Sequence, residues 1–391
     1  MELRKSLKRA ASMGVSVLAG VLIGFTFLFL IDYLTHAGTV SLGAFVLVLL
    51  GSLLLSTAVH ELAHLIGFRL CGEKIRLILI SPFLFQKKNG RWRLTLKVTS
   101  TFLIGGIVVP DIRPIENEEE LQRFQLRLRR AVLAAPLASA ALIVLCWIAF
   151  AAARPATVLA QDWWLVCCIC LTLVGIMLLA SSLVKNDQVI GDLRIGELRN
   201  HRPLLVALAL QYAACSTDYP REKRAFLQRA AQDCIAAEQP ALTTYSRLLL
   251  TNQIQAYLLG QEALSPHYPA CREALLEHLS TILAEESGFL LANMVLAMKI
   301  LEEHDRPGAV TLFERIFKVV KPRSKAQRYH YQRGLLLCGL DDTRTYLENP
   351  RNVASSAGYE AIAFFDYYLE EEQAFNRLAA QAFDSVQTQE E

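Results

Sequence analysis

Four stretches of the chain are apolar and uncharged over the length of a bilayer: Met13–Ile31, Gly38–Val59, Ala131–Ala153 and Trp163–Val184. A membrane span needs about 20 such residues, so the pattern predicts four transmembrane helices. Arg4, Lys5, Lys8 and Arg9 precede the first stretch, as basic residues precede a signal peptide. No clean small-residue cleavage site follows, however, and the second stretch begins within a few residues, so the first is read as a retained span.

The long connection from Arg69 to Arg130 has its own pattern. Trp92, Leu94, Leu96 and Val98 alternate with Arg91, Arg93, Thr95 and Lys97, the period of a strand. The segment Ile75–Phe85, rich in β-formers and interrupted by Pro82, precedes them, and Asn89-Gly90 between the two is a favoured two-residue hairpin turn. A β-hairpin is expected, with Pro82 confining the first strand to an edge or breaking it. Phe102–Pro110 is apolar but too short to span, and reads as a re-entrant or interfacial piece. Glu116–Arg130 reads as an amphipathic helix leading into the third span. From about Leu204 the pattern changes to helices of 12 to 18 residues separated by short breaks such as Gln239-Pro240, Lys321-Pro322 and Asn349-Pro350. These lengths suit either a tetratricopeptide-like solenoid or an irregular bundle. The expected architecture is mostly α: a polytopic membrane protein with a cytoplasmic β-hairpin, followed by a helical cytosolic domain. The boundaries are 1–37 for an accessory first helix, 38–200 for a membrane core containing the loop 69–130, and 201–391 for the helical domain.

Composition agrees with this division. The 391-residue chain is 53% hydrophobic and 20% charged, more apolar and less charged than an ordinary soluble domain. Its net charge of +3 averages two unlike halves, since residues 1–202 carry +9 and the remainder −6. The excess of Lys and Arg lies in the N-terminal twelve residues, in 69–130 and after the fourth span, while Asp32–His36 holds none and 154–162 holds only Arg154. By the positive-inside rule the N-terminus, the long loop and the C-terminal part are cytoplasmic, in a multi-pass protein of the cell membrane. Nine cysteines, four of them in apolar runs (Cys146, Cys167, Cys168, Cys170), exclude a disulfide scaffold and show no zinc-knuckle spacing.

The chemistry sits where the second span ends, in His60-Glu61-Leu62-Ala63-His64. This is H-E-x-x-H, in which positions i and i+4 share a helix face and offer two imidazoles to one Zn²⁺. Glu61 is placed to take a proton from a water whose pKa the zinc lowers to about 7. Ionisable groups in an otherwise apolar membrane helix cost on the order of 2.5–3.5 kcal/mol each, which argues against a chance match. Catalytic zinc usually takes three protein ligands. The third should lie at matching depth on another span, and the cytoplasmic end of the fourth supplies Asn186-Asp187, with Asp192 following.

These residues resemble the site-2 protease family of intramembrane zinc metalloproteases. The likeness rests on His60–His64 in one span and on Lys185-Asn186-Asp187 closing the last, where Gln188 stands in place of the family's usual Gly. A weaker echo is Ala134–Ser139, where Ala135 replaces the Gly of a Gly-Pro pair in the family's middle core helix. The likeness covers roughly residues 40–200. It implies a three-helix core in which His60, His64 and Asp187 bind zinc and Glu61 is the catalytic base, with the β-hairpin holding substrate in extended form. Asp187 is favoured over Asp192, which lies more than a turn further toward the cytoplasm. Asn186 is a candidate to hydrogen-bond a ligand or the substrate backbone.

The function expected is an intramembrane zinc metalloprotease acting near the cytoplasmic side on membrane-embedded or membrane-anchored proteins or peptides. The helical domain would recruit a substrate or protein partner, and Lys87, Lys88, Arg91 and Arg93 would meet anionic lipid rather than nucleic acid. Two alternatives stay open. One is a non-catalytic membrane adaptor with a vestigial metal site, which leaves Glu61 without a purpose. The other is a metal-dependent membrane enzyme acting on a lipid.

Overall fold

The computed structural model describes residues 32, 40–88, 90–96, 106–153, 157–183, 191–217, 219–239, 242–283, 286–319, 321–355 and 366–390. The expected first span, Met13–Ile31, lies outside them. Among the described residues three helices are long and apolar enough to cross a membrane: α1 (Leu42–Leu70), α2 (Glu118–Ala153) and α3 (Val158–Ser181). All three pack against one another. Two boundaries differ from the sequence reading. The second span does not end at Val59, because α1 runs on to Leu70 as one helix of 29 residues. At 1.5 Å per residue that is about 43 Å, longer than the roughly 30 Å hydrocarbon core, so His60–His64 lie toward one end of the span. The amphipathic stretch Glu116–Arg130 and the third span are likewise one continuous 36-residue helix, with Pro136 inside it.

Between α1 and α2 lies a four-stranded antiparallel sheet in the order β3-β2-β1-β4. Its strands are β1 (Lys74–Ile80), β2 (Phe83–Lys88), β3 (Arg91–Leu96) and β4 (Gly106–Asp111). The expected hairpin is present as β2 and β3, paired from Phe83↔Leu96 to Lys88↔Arg91. Pro82 breaks the expected first strand in two, because Ser81-Pro82 forms a tight turn with a cis peptide bond and β1 folds back on β2. The apolar piece expected to be re-entrant is, from Gly106 onward, the edge strand β4, paired to β1. Its earlier residues, 102–105, lie outside those described.

Strands β1 and β4 are largely buried, on both faces of the sheet, which explains why they read as nearly continuous apolar runs, whereas β3 is exposed along its whole length. Leu77, Leu79, Leu84 and Val109 share one face and cluster with Cys215 and Tyr212 of α4 (Arg202–Cys215). Ile78, Ile80 and Val108 on the other face belong to the same buried cluster as Phe68 of α1 and Phe124 and Leu128 of α2. The β1–β4 side of the sheet is thus sandwiched between the membrane helices and the first helix of the C-terminal half, with the β3 edge outside the sandwich.

The C-terminal half is helical, as expected. Its longer helices include α5 (Ala225–Glu238) and α6 (Thr244–Leu258). Further along are α7 (Tyr268–Glu277), α9 (Glu286–Leu301), α10 (Arg306–Val319), α11 (Lys325–Leu337) and α14 (Asp366–Glu390). The short α8, α12 and α13 are Leu279–Ile282, Arg344–Glu348 and Pro350–Ser355. The fully buried Arg333 ties α11 to α14 through a 2.8 Å ion pair with Glu372, and its guanidinium lies over the Phe375 ring. Polar clamps join this half to the segment after β4. The Asp111 carboxylate accepts from Thr217 N–H (2.9 Å) and Thr217 Oγ1 (2.7 Å). Ser216 Oγ accepts from Ile112 N–H at 2.8 Å. Tyr219 OH accepts from Ile115 N–H at 2.7 Å and donates back to Ile115 O at 3.2 Å. Arg202 grips Glu118 with two bonds of 2.6 and 2.7 Å at the start of α2. The buried core accordingly runs from α1 and the sheet through to Phe383.

Tyr219→Phe leaves the buried Ile115 N–H without an acceptor, a loss of about 1–3 kcal/mol. The expected result is a lower unfolding midpoint for the detergent-solubilised protein; an unchanged midpoint would show that this clamp contributes nothing.

Candidate metal centre

Helical periodicity sets the centre on α1. His60, His64 and Gly67 are buried on one face at spacings of four and three, facing α2. Opposite them α2 presents Ala131, Ala135 and Ser139, each four residues apart and each buried. The contact depends on small residues. A Cβ at Gly67 would fall 2.8 Å from Ala131 Cα, so the backbones meet where any other side chain would hold them apart.

The close approach brings polar groups of α2 behind the imidazoles. His60 Nδ1 lies 2.9 Å from Ser139 Oγ, and His64 Nδ1 lies 3.4 Å from Ala131 O. Both Nε2 atoms therefore point away from α2 and converge on one carboxylate oxygen. Asp192 Oδ2 is 3.0 Å from His60 Nε2 and 3.2 Å from His64 Nε2. The three side chains together offer three ligand atoms within 4.8 Å of one another.

Asp192, ranked second on sequence, is thus the carboxylate that the described residues bring to the histidines. Asn186 and Asp187 lie outside the described residues. The depth objection to Asp192 rested on a chain that continues away from the membrane after the fourth span. Instead α3 ends at Ser181, and the chain has returned by Gly191: Leu193 N–H donates to Ser182 O at 3.0 Å. A 3-10 helix, Asp192–Asn200, then packs on α2 with Ile195 and Leu198 buried. Asp192 opens that helix at the depth of the α3 terminus. Burial opposes ionisation of Asp192, but the hydrogen bonds from His60 and His64 outweigh it and hold the carboxyl well below the ordinary range. The signal that could have found it was Gly191, whose position leaves no room for a Cβ against the end of α3.

Glu61 is 4% exposed, and its Oε2 has no hydrogen-bond partner among the described residues. The start of β4 covers it. A Cβ at Gly106 would lie 2.5 Å from Glu61 Cγ and 2.7 Å from Cδ, so only glycine lets the strand pass over the carboxylate.

The donor set fits a divalent metal. His64 faces an acceptor on each side, Ala131 O and the Asp192 carboxylate, so a cation, whether a proton or a divalent metal, belongs between its Nε2 and Asp192. Two imidazoles and one carboxylate are the donor types of a catalytic zinc site.

A family model described as peptidase family M50 matches residues 45–380. The chain belongs to peptidase family M50. No curated protein and no solved structure matches it. As an M50 member it is a membrane protein of a metalloprotease family, consistent with its three apolar helices and its His-His-Asp cluster. The resemblance drawn from the sequence reached only residues 40–200, whereas the family match takes in most of the C-terminal helices as well.

Widening the α1–α2 contact should damage the centre. Gly67→Val forces its side chain into the Ala131 backbone and is expected to destabilise the protein by about 1–3 kcal/mol or more. Gly51→Val on the same helix meets no described atom within 4 Å and should be near neutral. Equal unfolding midpoints for the two variants would contradict the packing described.

Proposed function

We propose that this M50 member is an intramembrane zinc metalloprotease that hydrolyses peptide bonds in membrane-embedded or membrane-anchored proteins or peptides near the cytoplasmic face. The observation that carries the reading is the pairing of the buried Glu61 carboxylate, whose Oε2 has no partner among the described residues, with His60, His64 and Asp192 converging beside it. A structural metal site has no use for such a base, which weighs against a non-catalytic adaptor.

In this reading His60, His64 and Asp192 hold the zinc. When bound, zinc supplies the Lewis acidity that brings a water near neutrality and polarises the scissile carbonyl. Glu61 takes the proton of the attacking water and passes it to the leaving amine. Its burial beneath Gly106 keeps bulk water from competing for that carboxylate. A helical substrate has its carbonyls engaged and must open locally before hydrolysis. The edge strand β4, which starts against Glu61, suits pairing with an extended segment.

The distribution of Lys and Arg supports cytoplasmic termini and a cell-membrane location. The helices after Arg202 are clamped to the β4–α2 segment, within reach of the same edge, and their role in this reading is to recruit or orient substrate or a partner protein.

Glu61→Gln should retain zinc and lose roughly 10²–10⁴-fold in cleavage of co-expressed membrane substrates. Asp192→Ala should lose zinc, while Asp187→Ala should keep it. Cleavage by Glu61→Gln at the wild-type rate would end the protease reading, and zinc lost from Asp187→Ala but not from Asp192→Ala would move the third ligand to Asp187.

A further inference from the structure

The two histidines differ in what stands behind them. Behind His64 is a backbone carbonyl, Ala131 O, which only accepts, so Nδ1 carries a proton toward it. Behind His60 is a side-chain hydroxyl, Ser139 Oγ, at 2.9 Å, and a hydroxyl both donates and accepts. Ser139 is 2% exposed, so water is no substitute there.

His60 Nε2 also faces Asp192 Oδ2, at 3.0 Å. A ring that offers Nε2 to a metal carries its proton on Nδ1, and the buried Ser139 hydroxyl is the group placed to accept it. An alanine there would leave that N–H without a partner.

We propose that Ser139 is the positioning residue of the zinc site, its hydroxyl accepting the Nδ1 proton of His60 and so holding the ring with Nε2 toward the metal. The inference rests on the zinc-site reading above and adds to it a residue on α2 that touches neither metal nor substrate. Groups that hydrogen-bond the far nitrogen of a metal-bound histidine typically contribute 10–100-fold to metal affinity.

The test uses the full-length protein in detergent and measures zinc affinity by competition with a chromophoric chelator, alongside unfolding midpoints of the metal-free forms. Ser139→Ala should weaken zinc binding by about 10–100-fold, and Ser139→Thr, which keeps the hydroxyl, should return it to within a few-fold of wild type. If Ser139→Ala binds zinc as wild type does, the proposal is wrong. A drop in the metal-free midpoint of Ser139→Ala with unchanged zinc affinity would make Ser139 a packing residue and equally overturn it. Failure of Ser139→Thr to bind better than Ser139→Ala, with both folded, would do the same. Absence of zinc binding in wild type is a separate outcome, which removes the zinc-site reading itself.

Discussion

The structure depends on a small area of backbone contact, where Gly67 of α1 meets Ala131 of α2. Three ionisable side chains on a membrane helix are tolerable only if something satisfies them, because the bilayer will not. The approach of α2 supplies the partners of both imidazole Nδ1 atoms. The return of the chain after α3 supplies a carboxylate for both Nε2 atoms, and β4 covers Glu61. Each element is separately ordinary. Their convergence on His60–His64 turns an expensive sequence into a site.

The same convergence explains the sheet. A strand passing over a buried carboxylate must have no side chain at the crossing, and Gly106 begins β4 there. From that point β4 is fixed to β1 on one side and, through Asp111, Ile112 and Ile115, to the C-terminal half. The C-terminal helices therefore meet the metal centre by two routes, through β4 to Glu61 and through the 3-10 helix Asp192–Asn200, which leads from Asp192 straight into α4.

Much of this was legible in the residues. Apolar stretches without charge found α1, α2 and α3, and His60, Glu61 and His64 stood out because they are costly in such a stretch. The hairpin around 89–90 followed from alternation and turn chemistry. What was hidden lay in chain reversals. Pro82 points to an edge strand or a break and the structure has the break, but the identity of Gly106–Asp111 as a strand depends on β1 being free to pair with it, which no local pattern reports. Asp192 was set aside on the premise of a chain that keeps its direction beyond the fourth span. The reversal is made by the close seat of Gly191 against Ser182, a tertiary contact. Ser139 closes the Ala134–Ser139 segment, and only the register of α1 against α2 sets it behind His60.

The central claim is that a zinc ion is held by two imidazoles and one carboxylate beside Glu61. X-ray absorption at the zinc edge of the purified full-length protein tests it directly. The account predicts a four-coordinate first shell of nitrogen and oxygen only, at about 2.0–2.2 Å, with the outer-shell scattering of two imidazoles. A protein without zinc, or a shell containing sulfur at about 2.3 Å, would contradict it.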